Sequence, residues 1–352
     1  MSLSRRSVLM NSAAFMLHAL PMTVSVAAAP AASTLIPELI AAARKEGQIA
    51  WYTSVDLPIA EKVARKFEAN YSGIAVRVER SGSERLFQRL AQEFASRIHV
   101  ADVVNTSDGA HFLGWKRGGL LEPYVPAEAA QQLPNDRLDA DGSYMTWRAS
   151  LSVIAYNTSM VKADEAPKSF ADLLDPKWTG KIVKGHPGYS GTIMTATSQL
   201  VDNLGWQYFE KLARQRVMQV QSSTDPPKKL ALGERVIMAD GNEYNVFRMK
   251  EAGVPIEPVY PTEGAPLVTG PSAIFRTAPH PNAARLFQHY LFASETQQMI
   301  CDVGGLRSFH RDVIEKAGRK PLREIKLMRE DYAEVESHGE EIKSRYEQLF
   351  GL

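Results

Sequence analysis

Lys184-Gly185-His186-Pro187-Gly188-Tyr189-Ser190-Gly191-Thr192 stands between a short apolar run and a helical pattern, and the rest of the chain is arranged around it. Trp178–Val183 reads as a turn and a strand, and Ile193, Met194, Ala196, Thr197, Leu200 and Val201 recur at the three- and four-residue spacing of a half-buried helix. Ser190 or Thr192 can cap that helix, while Gly188 and Gly191 let the backbone approach whatever lies in front of it. A helix start with free N–H groups and hydroxyls can bind an anion. The plainer alternative is a capped helix after a tight loop.

Upstream, apolar runs and helical patterns alternate. A helix from Thr34 to Gly47, the strand Ile49–Thr53, a helix over 58–71, the strand Ile74–Val78, a helix capped by Ser83 and the strand Asp102–Val104 predict an α/β domain with a mostly parallel sheet. Three of these strands run into small polar loops, at Ser54/Asp56, Ser81/Ser83 and Thr106/Ser107/Asp108. In open α/β sheets ligands bind at the carboxyl ends of strands, although caps and turns demand the same residues. Downstream, strands at 144–148, 152–156, 217–220 and 236–239 with intervening helices make a second α/β block, which carries the loop Gln221–Asp225 and the turn Asp240–Tyr244. A strand at 267–275, a helix at 283–292 and a charged helical tail over 331–349 complete the chain.

Composition narrows the function. The 352 residues suffice for two medium domains, and 44% hydrophobic with 23% charged residues is ordinary for a globular protein. Residues 1–33 carry Arg5, Arg6 and no acid, leaving 39 basic against 40 acidic side chains, with none of the basic stripe that nucleic-acid binding needs. Ser4-Arg5-Arg6-Ser7-Val8-Leu9-Met10, the apolar stretch to Val26 and the small residues after it read as a twin-arginine export signal over 1–33. The single cysteine, Cys301, excludes an intramolecular disulfide and falls in an apolar helical context, so it is expected to be buried and inert.

Enzyme motifs are absent. Gly188–Thr192 lacks the last glycine of a nucleophile elbow, and no dinucleotide fingerprint, Walker loop or zinc spacing occurs. Glu243-Tyr244, directly after an apolar strand, could be ordinary packing at a helix start or part of an oxygen-rich cation site.

The chain resembles the periplasmic solute-binding proteins of ABC importers, in the group that holds the ferric-ion-binding proteins and binders of thiamine, phosphonates, polyamines and sugar phosphates. The likeness is carried by Trp51-Tyr52-Thr53-Ser54, Val153–Thr158, Phe170–Trp178, Ser190-Gly191-Thr192 and Gly233-Glu234 ahead of Tyr244. It implies a type II binding protein of two α/β lobes, residues 34–149 plus 269–320 and 150–268 plus 321–352. Hinge strands would lie near Arg148–Ser150 and Val268–Gly270. It further implies a periplasmic monomer that is not an enzyme, uses no cofactor, captures a small-molecule solute and delivers it to an inner-membrane permease. Ferric-binding members carry two adjacent tyrosines where this chain has Glu243 and Tyr244, so an iron site would have to use Asp56, Glu243 and Tyr244. The anion part of the pattern matches better, at Ser190-Gly191-Thr192 with Ser223. The expected ligand set is therefore Ser54, Asp56, Ser81, Ser83, Ser107, Asp108, Arg148, Tyr189, Ser190, Gly191, Thr192, Ser223, Glu243 and Tyr244, around a small anion, with Asp56 and Glu243 reading its other end.

Overall fold

The computed structural model describes residues 28–352. The twin-arginine stretch therefore lies outside the described residues. Near the start of the described residues, Ser33 N–H donates to the Val125 carbonyl at 2.8 Å.

The chain runs α1 (Pro37–Glu46), β1 (Gln48–Thr53), α2 (Leu57–Asn70), β2 (Ala75–Arg80), α3 (Ser83–Ala95), β3 (Val103–Asn105), α4 (Gly109–Arg117), β4 (Leu121–Glu122), α5 (Ala127–Gln132) and β5 (Met145–Leu151). It continues through β6 (Ile154–Asn157), β7 (Ile182–Gly185), α6 (Gly191–Leu204), α7 (Trp206–Ala213), β8 (Met218–Val220), α8 (Asp225–Ala231), β9 (Ile237–Asp240), α9 (Glu243–Glu251) and β10 (Ile256–Val259). The last elements are β11 (Ala265–Phe275), α10 (Pro281–Phe292), α11 (Ser294–Asp302), β12 (Leu327–Met328) and α12 (Tyr332–Phe350).

These elements form two sheets, as the α/β reading anticipates. One has the order β12-β11-β3-β1-β2, with β4 and β5 also paired to β11; the other has the order β10-β6-β9-β7-β8. The expectation of a mostly parallel sheet in the first α/β domain needs correcting, because both sheets are mixed. β1 pairs in parallel with β2 and β3, and β7 with β8 and β9, but β3, β4 and β5 all run antiparallel to β11, and β6 runs antiparallel to β9 and β10. The reason is the crossover. The chain leaves the first sheet through β5, goes directly into β6, and returns from β10 into the eleven-residue β11. Val268, Thr269 and Gly270 on β11 pair with Ser150, Ala149 and Arg148 on β5, so the two crossing segments lie side by side.

Each sheet is packed by helices through apolar faces. In the first, Trp51 of β1 meets Phe287 of α10 edge-on at 5.2 Å and Trp147 of β5 at 6.1 Å, inside a core that includes Val63, Phe67 and Tyr290. In the second, Phe170, Trp178, Leu200, Phe209 and Tyr346 surround Ile154 and Ile237. Each fully buried side chain of this size contributes roughly 1.5–3 kcal/mol. The tail helix α12 is more than a solvated face: it buries Val335, Ile342 and Tyr346 and packs against α4 as well as α6 and α7, so it touches the elements of both sheets. No helix of the described residues is long and apolar enough to cross a membrane.

Candidate functional site

Loops at the carboxyl ends of β1, β2, β3, β7, β8 and β9 converge on a cavity of about 120 Å³ between the two sheets. Ser54, Arg80, Ser83, Arg85 and Ser107 line it from the first sheet's elements. Tyr189, Ser190, Thr192, the segment Ser222–Asp225, Asn242 and Tyr244 line it from the second, and Arg148 enters from β5.

Local chemistry explains the placement. Ser190 adopts the extended conformation of an N-cap, and its Oγ accepts from Ile193 N–H at 3.4 Å, as one of the two expected caps. The next residue must be small: a Cβ on Gly191 would lie 2.8 Å from the Asp108 Cβ and 2.9 Å from the Ser83 Cβ. The start of α6 is thus pressed against the opposite half of the molecule. Ser83 does not cap α3, contrary to expectation. It is the first helical residue, and its Oγ bonds the Ser107 Oγ at 2.8 Å and accepts from Ser107 N–H at 3.2 Å, fixing two cavity loops to each other.

The cavity is positively charged. Arg148 is 4% exposed, and its Nε has no hydrogen-bond partner among the described residues. Gly270 makes room for it, since a Cβ there would come within 2.8 Å of the guanidinium. Burial lowers the Arg148 pKa, and the Tyr244 phenol beside it works against that shift. Burial, with the Asp56 carboxylate adding to it, raises that phenol to about 12, so Tyr244 is a neutral hydroxyl at neutral pH. Arg80 Nε donates to the Val55 carbonyl at 3.2 Å, and an Arg85 Nη donates to Gln221 Oε1 at 3.1 Å across the cleft. The one acid on the lining, Asp225, is already engaged: it accepts from Ser222 N–H and pairs with Lys228 at 3.1 Å. Two further polar atoms on the lining, Ser54 Oγ and Asn242 Oδ1, are buried without partners among the described residues. Buried polar atoms are normally paired, so each is an unused contact for a solute.

Nine of the expected residues, Ser54, Ser83, Ser107, Arg148, Tyr189, Ser190, Thr192, Ser223 and Tyr244, stand on this lining, and five do not. Asp108 turns away to cap α4, accepting from Ala110 N–H at 3.0 Å. Asp56 forms an ion pair with Arg248 at 2.8 Å. Ser81 continues the strand hydrogen bonding, its backbone N–H donating to the Thr53 carbonyl at 3.2 Å, and Gly191 makes a close approach to Ser83 and Asp108. Glu243 is fully buried on the opposite side of the first turn of α9, bound by Arg307 at 2.6 and 2.9 Å and by Arg319 at 2.9 Å. Although burial itself works against ionisation, these guanidinium groups hold its carboxyl below the usual range. The expected trio Asp56, Glu243 and Tyr244 is therefore not assembled, and no three His, Cys, Asp or Glu side chains stand together as a metal cage among the described residues. Sequence reasoning missed Arg80, Arg85, Gln221, Ser222, Thr224 and Asn242. Arg80 ends β2 and Arg85 lies in the first turn of α3, where small residues were favoured over long cations, while Gln221, Ser222, Thr224 and Asn242 lie in the segments leading into α8 and α9 that the sequence marked only as polar.

Comparison with known proteins agrees with the fold. The structure superposes on AfuA from Actinobacillus pleuropneumoniae, solved with exogenous fructose-6-phosphate, with TM-score 0.79 and 24% identity over 87% of this chain and 99% of that one. Iron-bound HitA from Pseudomonas aeruginosa aligns with TM-score 0.75 and 21% identity over 87% and 99% of the two chains. Iron uptake protein A1 of Synechocystis sp. is 27% identical over 139 residues, which is 40% of this chain and 38% of that protein. The chain spans only 38–55% of the length of the curated relatives it matches. Residues 62–321 match the family described as bacterial extracellular solute-binding protein, and the chain belongs to that family.

Proposed function

We propose that this is the periplasmic solute-binding component of an ABC importer, exported through the twin-arginine signal at its N-terminus, and that it captures a small organic anion of the phosphonate or phosphate-ester class. The carrying observation is Arg148, a buried guanidinium with an unused Nε on a cavity shared with Arg80 and Arg85. A buried cation without a partner is costly, and an anion accepting from it removes that cost. The start of α6 and the hydroxyls of Ser83, Ser107, Thr192 and Ser223 supply further donors to the same anion, while Ser54 Oγ and Asn242 Oδ1 fit hydroxyl groups on the rest of the solute. The two sheets with their helices act as lobes hinged at the paired segments Arg148–Ser150 and Val268–Gly270, and closure completes the site because contacts come from both sides. The protein then works as a monomer that hands the solute to its permease, with no bond made or broken.

A second reading, ferric iron with a synergistic anion, is favoured by one residue: the Tyr244 phenol on the cavity wall. Three arginines oppose a cation there, and the nearest carboxylates are already paired. Native mass spectrometry of protein purified from cells, followed by calorimetry with inorganic phosphate, phosphonates and phosphate esters beside ferric citrate, separates the two. The anion reading expects a colourless one-to-one complex that is weakened in Arg148→Gln. A coloured iron complex that survives excess citrate and disappears in Tyr244→Phe establishes iron instead.

A further inference from the structure

Glu243 and Tyr244 are neighbours on the first turn of α9 but face different ways, one into the protein and one into the cavity. The segment between α11 and β12 crosses behind that turn. Its Arg307 exchanges both backbone hydrogen bonds with Ala149, at 2.7 and 2.9 Å, and Ala149 follows Arg148 directly on β5. The Arg307 side chain, 3% exposed, then reaches Glu243 with two parallel N–H donors. Arg319 closes the same nest. One of its Nη atoms bonds Glu243 at 2.9 Å, the other bonds the Gly305 carbonyl at 2.6 Å, and its guanidinium lies 4.6 Å from the centre of the Phe247 ring. Tyr260 OH and Glu315 complete the network, Tyr260 donating to Glu243 and Glu315 pairing with Arg307 at 3.2 Å. Every oxygen of the Glu243 carboxylate is thus held by groups from outside α9.

From this we infer that Glu243, Arg307 and Arg319 form a positioning bracket that couples the crossover strand β5 to the start of α9 and so sets Tyr244 and Asn242 in register with Arg148. A bidentate guanidinium–carboxylate pair fixes direction as well as distance, so anchoring one side of a helical turn aims the other. The connection is short: from Arg148 through Ala149, the Arg307 backbone, its guanidinium and Glu243 to Tyr244. None of the three bracket residues stands on the cavity lining. The inference rests on the cavity being the solute site, and its test is built to separate the two.

The experiment uses the purified protein with Glu243→Gln and the milder Arg319→Gln, the latter serving if the first does not fold because two buried arginines lose their anion. Hydrogen exchange should rise at least about tenfold at amides 242–246 while β9 keeps its protection, since local opening follows the loss of local anchoring. Calorimetry with inorganic phosphate should show Kd raised about tenfold or more. In a Tyr244→Phe background the same bracket substitution should raise Kd by clearly less than it does in the wild type, because part of its effect passes through Tyr244, and such non-additivity marks coupled residues. Unchanged exchange at 242–246, or losses that simply add between Glu243→Gln and Tyr244→Phe, overturns the bracket. A wild-type protein that binds no phosphate sinks the anion reading alone, and the exchange measurement then decides the bracket by itself.

Discussion

Lys184 Nζ lies 2.9 Å from the Asp240 carboxylate, with both side chains 1% exposed, on strands β7 and β9, each of which ends in a cavity loop. Burial lowers the lysine's pKa and raises the acid's, and each partner opposes that shift in the other. The rings of Tyr346 at 4.9 Å and Phe209 at 5.8 Å cover the ammonium. Removing one partner strands the other charge in an apolar interior. We predict that Lys184→Met destabilises the protein by about 3–5 kcal/mol, and that adding Asp240→Leu recovers much of this loss. Urea unfolding of the single and double variants checks it; equal stability of the two would show that the pair contributes nothing specific.

Arg148 should behave in the opposite sense. Its guanidinium is buried with Nε unpaired, which is a cost to the empty protein. We predict that Arg148→Gln leaves thermal stability unchanged or raises it. Phosphate binding should weaken by about 1.5–3 kcal/mol, the range for a hydrogen bond to a charged group. A drop in melting temperature together with unchanged phosphate affinity would assign Arg148 to the scaffold.

Much of the fold was legible because helix caps and apolar periodicity are local. Ser190 caps α6 through Ile193 three residues on, whereas the crossing segments 148–150 and 268–270 were marked through the family resemblance. The direction of the sheets was not legible, since β11 pairs with partners more than 100 residues away. The site divided along the same line. Small residues at strand ends were found because the rule for α/β sheets names that place. Asp56 and Glu243 stand off the lining, held by Arg248, Arg307 and Arg319, partners that are 64 to 192 residues distant in sequence. A sequence shows a carboxylate at a strand end but not whether a remote arginine has already neutralised it.

Glu84 of α3 supplies a pH prediction. The His111 imidazole at 3.8 Å first, and the charge of Lys343 on α12 at 3.6 Å, hold its carboxyl at about 2, against an ordinary value of 4.5. A depressed acid contributes stability that is complete above the ordinary value and is lost as pH falls toward the depressed one. Urea midpoints of the wild type should therefore fall more steeply between pH 5 and pH 3 than those of Glu84→Gln. Parallel curves would mean that α3 and α12 gain nothing from this contact.

Cys301 lies 4% exposed on α11, and burial pushes its thiol up to about 12. The thiolate is the reactive form, so labelling by a thiol reagent should be slow in the native state and fast in urea. Native labelling as rapid as that in urea would place α11 at the surface.

The start of α6 separates capping from binding. Ser190 both caps Ile193 N–H and lines the cavity, so Ser190→Ala should cost about 0.5–2 kcal/mol of stability as well as affinity. Thr192, 4% exposed on the same lining, is not the capping residue. Its loss should therefore fall mainly on binding. We predict that Thr192→Ala weakens phosphate binding by about 1.5–3 kcal/mol with a much smaller change in unfolding midpoint, and that the Ser190→Ala, Thr192→Ala pair weakens it further. Calorimetry with inorganic phosphate, run beside urea unfolding, distinguishes the outcomes. If both variants bind phosphate as the wild type does and only Ser190→Ala is destabilised, the turn is a helix cap and nothing more.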